Sequence, residues 1–257
     1  MTPAGGRALG GIFHVGISGA RGRMGRAVSA VLDARDDVVV AARFDRGEAP
    51  DVSLCDVIID FSTADASVEL ARACAARGGP ALVIGSTGLS PEQDAEILKA
   101  AEDIAIVRSG NFSLGVNILI GLVQHAAQRL DAADWDIEIA EAHHRRKVDA
   151  PSGTALMLGE AAAGGRGEDL SAVRNAPWDG ITGPRPEGRI GFSSTRAGGI
   201  IGEHTVLFAS EDEVLTLSHS ALDRSLFAKG AVAAAAWVRG RKPGLYDMQD
   251  VLGFRQA

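Results

Sequence analysis

Two histidines and three cations stand close together in the stretch EAHHRRKVDAPSGTAL, residues 141–156. Histidine is the side chain best suited to proton exchange at physiological pH, so either His143 or His144 could exchange a proton with a substrate. Lys147 is a compact cation with three donors, which could hold an anion or donate a proton. Residues 152–154 are typical of a helix start, where main-chain amides and hydroxyls can bind a carboxylate. One interpretation is a site that binds an anionic substrate; the other is a surface turn of solvated charges.

The run DIEIAEAHH, residues 136–144, must position the histidines. It alternates apolar and polar residues as a strand does, and a strand sends neighbouring side chains to opposite faces. His143 and His144 are therefore expected to act as a matched pair only if the strand ends there. A metal site needs further ligands at suitable spacing, and neither HExxH nor a third clustered histidine is present, so no metal is predicted.

The segment VGISGARGRMGRAV brings Gly19, Gly22 and Gly25 to the turn from a predicted strand into a predicted helix. Glycines there let the main chain approach a pyrophosphate at the positive end of the helix. The spacing is G-x-x-G-x-x-G rather than the common dinucleotide form, so a merely tight turn is the alternative. Asp45 lies twenty residues beyond the last glycine, where a ribose hydroxyl would be bound. Arg46 could accommodate the 2'-phosphate of NADP, or be half of a solvated pair.

Two further loops, GSTG at residues 85–88 and SGNF at residues 109–112, follow directly after predicted strands. Ligands of open α/β sheets bind beyond the carboxyl ends of the strands. Small residues and exposed amides there suit close packing around a flat ring such as nicotinamide, although ordinary loop glycines would look much the same.

The first half of the chain alternates short β-branched runs with longer Ala-rich segments, which predicts βαβ units and a parallel sheet. Strands are expected at residues 12–18, 38–44, 56–62, 81–86 and 104–107. Helices are expected at residues 23–34, 64–76 and 91–101, the last with Ser90 as cap, Pro91 in the first turn and Gln93 completing a capping box.

The pattern changes near residues 110–115. A long helix to about residue 130 precedes the histidine strand. Residues 164–189 form a Gly-, Pro- and Arg-rich segment, which is expected to be a functional loop or a disordered one, and no role is assigned to it. Three later runs, beginning at IGFSST, GIIGEHTV and EVLTLSHS, are expected to be antiparallel strands. The predicted domains are residues 1–113 with 225–257, which bind a dinucleotide, and residues 114–224, which bind substrate.

Composition narrows the possible functions. A net charge of -7 and a pI near 5.4 provide no basic field for nucleic acid or an anionic membrane. No secretory signal and no apolar run long enough to span a bilayer are present, so a cytoplasmic protein is expected. Cys55 and Cys74 form no CxxC pair and are expected to be plain buried thiols.

These motifs together resemble the dihydrodipicolinate reductase family, more fully the 4-hydroxy-tetrahydrodipicolinate reductases of lysine and diaminopimelate synthesis. EAHHRRKVDAPSGTAL is the most specific of them, and GARGRMG, GSTGLS, NFSLGVN, GIIGEHTV and GLYDMQDVLGF occur in family order. The resemblance implies a Rossmann-like parallel-sheet domain, a second α+β domain with a mixed, largely antiparallel sheet, and a homotetramer built through that sheet. It also implies hydride transfer from NADPH or NADH to a cyclic dicarboxylate.

The resemblance carries roles onto individual positions. It implies that His143 and Lys147 are catalytic. It implies substrate contacts by His144, Ser152, Gly153, Thr154 and, less securely, Arg224. It implies cofactor contacts by Gly19, Ala20, Arg21, Gly22, Arg23, Met24, Asp45, Arg46, Gly85, Ser86, Thr87, Ser109, Gly110, Asn111 and Phe112.

Some positions depart from common family forms: Ser86 stands where threonine is frequent, and Asp45 replaces a longer glutamate. The second departure leaves the choice between NADH and NADPH open. Aspartate dehydrogenase or another amino-acid reductase is the alternative among enzymes. A dinucleotide-sensing regulator without chemistry is the alternative outside them; it would explain the glycine turn but not the histidine and lysine cluster.

Overall fold

A computed structural model describes residues 12–45, 47–48 and 52–255. The chain divides into two compact units, Met1–Leu114 with Ser225–Ala257, and Gly115–Arg224. Arg46, the residue predicted to meet a 2'-phosphate, lies outside the described residues. Within the described part of the chain, no helix combines the length and the apolar character needed to cross a membrane.

The first unit contains the alternating strands and helices that the sequence pattern predicts. Its first elements are β1 (Phe13–Ser18), α1 (Arg23–Asp33), β2 (Val38–Phe44), a 3-10 turn (Val52–Leu54), β3 (Val57–Asp60), α2 (Ala64–Ala75), β4 (Ala81–Ile84), α3 (Pro91–Ala100) and β5 (Ala105–Arg108). These bounds lie within two residues of those expected from the sequence. The capping box of α3 is present, with the Ser90 side chain accepting from Gln93.

The second unit carries the histidine strand in a smaller sheet. Its elements are α4 (Leu114–Ala127), β6 (Asp136–His143), α5 (Gly153–Gly165), α6 (Leu170–Val173), β7 (Ile190–Arg196), β8 (Glu203–Ala209) and β9 (Val214–Ser220). The strand order is β7-β6-β8-β9. Along β6, buried and half-buried residues alternate, and α4 and α5 contribute side chains to the core on its buried face.

The chain then returns to the first unit through α7 (Ser225–Val238), β10 (Gly244–Tyr246) and α8 (Met248–Val251). Every strand pair of the first sheet is parallel, in the order β10-β5-β4-β3-β1-β2. Helix α7 packs against β3, β4 and β5. The expected Rossmann-like sheet and the expected second mixed sheet are both confirmed.

Two expectations for the second unit are wrong. β7, expected to be antiparallel, pairs with β6 in parallel, while β6 with β8 and β8 with β9 are antiparallel. The physical reason is that α5 and α6 lie between β6 and β7, and a long crossover connection permits parallel pairing. The second wrong expectation is that residues 164–189 form one loop. This segment begins at the end of α5 and contains the short helix α6.

Candidate active site

The turn from β1 into α1 has a main chain that side chains would obstruct. Gly19 has φ of +72°, in the region that favours glycine. A Cβ on Gly25 would lie 2.2 Å from the carbonyl oxygen of Gly19, so only glycine permits this packing. Gly22 is the N-cap of α1 and supplies no capping side chain. The turn therefore presents bare main chain at the positive end of a helix, and these residues fit a pyrophosphate.

Next to this turn, acidic side chains hold Arg21. Asp45 accepts the main-chain N–H of Arg21 at 3.1 Å, and its carboxylate lies 3.7 Å from the Arg21 guanidinium. Glu48 accepts from the same guanidinium at 2.6 Å, and its other oxygen accepts the main-chain N–H of Asp45 at 2.9 Å. A cavity of about 320 Å³ adjoins them, lined also by Phe44 and Ser62. Glu48 was missed in the sequence, and it adds a second carboxylate where a ribose is predicted.

The GSTG loop is fixed by groups that the sequence did not single out. Asp60, fully buried at the end of β3, accepts from the hydroxyl of Ser67, which lies 2.7 Å from the hydroxyl of Ser86. A Cβ on Gly85 would meet the ring of Phe61 at 2.2 Å. Ser86 is thereby buried as part of a polar chain, whereas Thr87 is exposed.

The SGNF turn is organised by its own side chains. The Ser109 hydroxyl donates to the carbonyl of Asn111 at 2.7 Å, and the Asn111 side chain accepts from the N–H of Ser113 at 2.8 Å. The ring of Phe112 is buried in the core of the first unit, while Gly110 is exposed. The structure thus makes Phe112 an anchor for the turn, and only its main chain is available for other roles.

In the second unit, β6 ends at His143. This meets the condition under which His143 and His144 could act as a matched pair. Nδ1 of His143 lies 2.6 Å from a carboxylate oxygen of Glu141. Arg196 donates to both oxygens of that carboxylate, at 2.7 and 2.8 Å. Burial acts to raise the pKa of Glu141, but hydrogen bonds from Arg196, Ser194 and His143 outweigh it and lower the pKa to about 2.

Ser152 joins this cluster to helix α5. Its hydroxyl caps the helix by accepting from the N–H of Ala155 at 3.1 Å, and it lies 3.1 Å from Nε2 of His204. Its main-chain N–H donates to Glu141 at 3.3 Å. The predicted helix start is therefore present, with the Ser152 side chain serving as its cap. Gly153, the first helical residue, has open space where a Cβ would lie.

The ring of His204, on β8, packs edge-on to the ring of His143, with centroids 5.1 Å apart. Burial, and secondarily the charge of His143, lower the pKa of His204 to about 4. His204 is therefore neutral near pH 7 and adds no positive charge beside His143.

The turn after β6 carries the remaining predicted residues. Nζ of Lys147 donates to both carboxylate oxygens of Asp149, each at 2.8 Å. His144 lies on this turn, and its pKa is lowered by desolvation first and then by the charges of Arg146 and Arg224. The structure thus brings Arg224 within electrostatic range of His144.

Sequence reasoning missed Glu141, Arg196 and His204. Glu141 could have been found, because a strand places residues two apart on one face and the motif itself contains E-x-H. Arg196 and His204 could not, because they reach the cluster only through strand register: Arg196 is opposite His143, and His204 is opposite Glu141.

Family models match nearly the whole described chain. A model described as "Dihydrodipicolinate reductase, N-terminus" matches residues 13–54 and 49–112, and one described as "Dihydrodipicolinate reductase, C-terminus" matches residues 115–252. The chain belongs to the dihydrodipicolinate reductase family. The resemblance inferred from its motifs is confirmed, and with it the enzyme class, a reductase that uses a pyridine nucleotide.

Individual members of the dihydrodipicolinate reductase family agree with this assignment. The 4-hydroxy-tetrahydrodipicolinate reductase of Caulobacter vibrioides is 62% identical over 251 residues, which are 94% of this chain and 98% of that protein. The enzyme of the same name from Chelativorans is 48% identical over 265 residues, covering 93% and 95% of the two chains. Among solved structures, dipicolinate-bound dihydrodipicolinate reductase from Paenisporosarcina superposes with a TM-score of 0.76, at 25% identity, covering 92% of this chain and 97% of that one.

The lowered pKa of His204 predicts how stability depends on pH. As pH falls from about 6.5 towards 4, His204 of the unfolded chain binds a proton while the buried folded ring does not, so acid favours the unfolded state. This effect removes at most about 3 kcal/mol from the free energy of unfolding. His204→Gln should flatten the pH dependence between pH 6.5 and 4, as measured by denaturant titration at several pH values.

The matched control is His125→Gln, at an exposed position on α4. It should preserve the wild-type slope. A His204→Gln slope equal to that of the wild type would contradict the assignment of this pH dependence to His204.

Proposed function

We propose that this chain catalyses the reaction for which its relatives are named, the reduction of 4-hydroxy-tetrahydrodipicolinate to tetrahydrodipicolinate with NADPH or NADH. The observation that carries the assignment of residues is the buried cluster of the second unit. It places a titratable ring, His143, in one hydrogen-bonded group with the amino end of helix α5. A proton carrier and an anion-binding helix end are what a dicarboxylate reductase needs on its substrate side.

Substrate carboxylates are held, in this proposal, by the amino end of α5 together with Lys147 and His144. Because the Ser152 hydroxyl caps the helix, the contribution of Ser152 to the substrate is indirect: it fixes the helix start. Gly153 and Thr154 then provide the contacts at the helix end, and Arg224 contributes positive charge from the chain that follows β9. Lys147 changes partners, from Asp149 to the substrate, when the substrate binds.

A nicotinamide held by the first unit would supply the hydride for ring carbon 4 of the substrate, from which the 4-hydroxyl is lost as water. The protein must then deliver one proton to the reduced ring, and His143 and Lys147 are the groups proposed to do so. Positioning by the helix end accounts for a large part of the rate, because it replaces a chance encounter with a fixed geometry.

The first unit binds the dinucleotide in this proposal. The glycine turn takes the pyrophosphate, Asp45 takes the adenosine ribose, and the GSTG and SGNF loops surround the nicotinamide. The residues proposed to contact the cofactor are Gly19, Ala20, Arg21, Gly22, Arg23, Met24, Asp45, Arg46, Gly85, Ser86, Thr87, Ser109, Gly110, Asn111 and Phe112, the last through its main chain.

The proposal is tested by supplying the substrate from aspartate semialdehyde, pyruvate and the preceding synthase, and following the loss of absorbance of the reduced cofactor. The wild-type protein should consume NADPH or NADH. His143→Ala and Lys147→Ala should each lower kcat by roughly 10²-fold or more, because a positioned proton donor contributes at least that much. Neither change should alter the Kd for the cofactor.

Binding of NADPH without consumption would contradict the reaction and favour the sensing regulator. Consumption only with a different carbonyl compound would favour the amino-acid reductase alternative. Equal losses of turnover and cofactor binding in both variants would show that the two residues are structural.

Arg46 provides a second test, on cofactor choice. Arg46→Ala should raise the Kd for NADPH about tenfold, as expected for one charge-assisted contact, and leave the Kd for NADH nearly unchanged. The measurement is a fluorescence titration with each nucleotide. If Arg21→Ala has this effect and Arg46→Ala does not, the 2'-phosphate is bound by Arg21, whose guanidinium already lies between Asp45 and Glu48.

We further propose a cytoplasmic homotetramer that acts in lysine and diaminopimelate synthesis. Support for assembly comes from β9, an edge strand of the second sheet on which Val214 and Leu215 are 60% and 41% exposed. Exposed strand edges with apolar side chains favour pairing with another chain. Sedimentation equilibrium should give four times the mass of the 26.6 kDa chain, and Leu215→Lys should lower that mass. A monomeric wild type would contradict the tetramer.

A further inference from the structure

The carboxylate of Glu141 is enclosed by hydrogen-bond donors from three directions. Its side chain is fully buried, and Arg196 binds both of its oxygens. The side chain of Ser194, the N–H of Ser152 and the ring of His143 also bind this carboxylate. Burying a charge is costly unless it is paired and hydrogen-bonded, and here both conditions are met. The carboxylate is therefore ionised and fixed in place.

An ionised carboxylate can only accept hydrogen bonds. The 2.6 Å contact between Glu141 and His143 therefore requires the hydrogen to be on Nδ1 of the ring. In neutral His143 the lone pair that accepts a proton must then be on Nε2. The carboxylate thus selects which ring nitrogen can react.

Nε2 of His143 faces the main chain of Gly202, where a Cβ would lie only 3.1 Å from it. A glycine at this position leaves room beside the nitrogen. Charged and titratable groups around the ring include Glu141 on β6, Arg196 on β7, His204 on β8 and His144 on the turn that follows β6. Of these, Arg196 is already bound to Glu141, so the ring meets a compensated ion pair rather than a bare cation.

We propose that Glu141 is a positioning residue for the reduction: it fixes His143 in the form protonated on Nδ1, so that Nε2 carries the proton that is delivered to the substrate. This inference rests on the proposed function, in which His143 is the proton donor. In the step itself, the Nε2–H bond breaks, a C–H bond forms on the reduced ring, and His143 returns to its neutral Nδ1–H form. Solvent then restores the proton on Nε2.

The same strand offers a matched control. Glu138 also lies on β6 and is bound by an arginine, Arg185, but it accepts its other hydrogen bond from Trp178. Since residues an odd number apart lie on opposite faces of a strand, the Glu138 pair is on the face away from His143. It reproduces the ion pair without the histidine.

The test compares Glu141→Gln with Glu138→Gln. An amide can donate to Nδ1, so Glu141→Gln should shift His143 to the form protonated on Nε2. We expect kcat to fall roughly 10²-fold or more, because the proton relay is then wrongly arranged. The Kd for NADPH should not change, and Glu138→Gln should keep the wild-type kcat.

The second readout is the tautomer, observed by ¹⁵N NMR of protein labelled at its six histidines. His143→Asn identifies the signal of His143. The wild type and Glu138→Gln should show His143 protonated on Nδ1, and Glu141→Gln should show it protonated on Nε2. A wild-type ring protonated on Nε2 would overturn the inference even if Glu141→Gln did not fold. So would a folded Glu141→Gln with wild-type kcat, or a Glu138→Gln with an equal loss.

Gly202→Ala tests the reactive nitrogen itself. It should lower kcat at least about tenfold by crowding Nε2, while the NMR signal still shows the proton on Nδ1. Unchanged turnover would overturn the role given to Nε2. Because the tautomer is read without substrate, a wild type that fails to reduce the dicarboxylate counts against the proposed function alone.

Discussion

The hydrogen-bonded cluster around His143 depends on keeping one carboxylate charged out of contact with water. Burial alone would protonate Glu141, and a neutral acid there would neither bind both donors of Arg196 nor fix the ring of His143. Arg196 prevents this because its planar fork matches the two oxygens of a carboxylate. Since Arg196 comes from β7 and Glu141 from β6, the charge state depends on how the two strands are paired.

Strand register therefore has chemical consequences. A shift of one residue between neighbouring strands moves every side chain to the other face of the sheet. Such a shift of β7 would remove Arg196 from Glu141, and a shift of β8 would remove His204 from Ser152. Ile137 and Ile139 lie on the same buried face of β6 as Glu141 and His143, and their packing in the core holds the register. The hydrophobic core of the second unit is in this way also what assembles its polar cluster.

The sequence predicts well what local chemistry determines. The capping box at Ser90 and the helix start at Ser152 involve residues a few positions apart, and both are present. The glycine turn and the parallel sheet are likewise local patterns repeated along the chain. The parallel pairing of β7 was missed because it depends on the connection between His143 and Ile190, of which the part at residues 164–189, with α6, was predicted to be a loop. Arg196 and His204 were missed because no local pattern links them to residues 141–152.

The ion pairs of this protein differ in how easily an anionic ligand can replace the acidic partner. Lys147 is paired with Asp149, and Arg21 with Asp45 and Glu48, in positions where at least one partner is over half exposed. Exposed pairs contribute only about 0–1 kcal/mol, so an anionic ligand can take over the cation at little cost. The pair of Glu141 with Arg196 is different, because removing one partner would leave a buried charge alone, at about 3–5 kcal/mol. In the proposed function, anions are therefore bound by cations whose ion pairs exchange easily, and the proposed proton donor is oriented by an ion pair that does not.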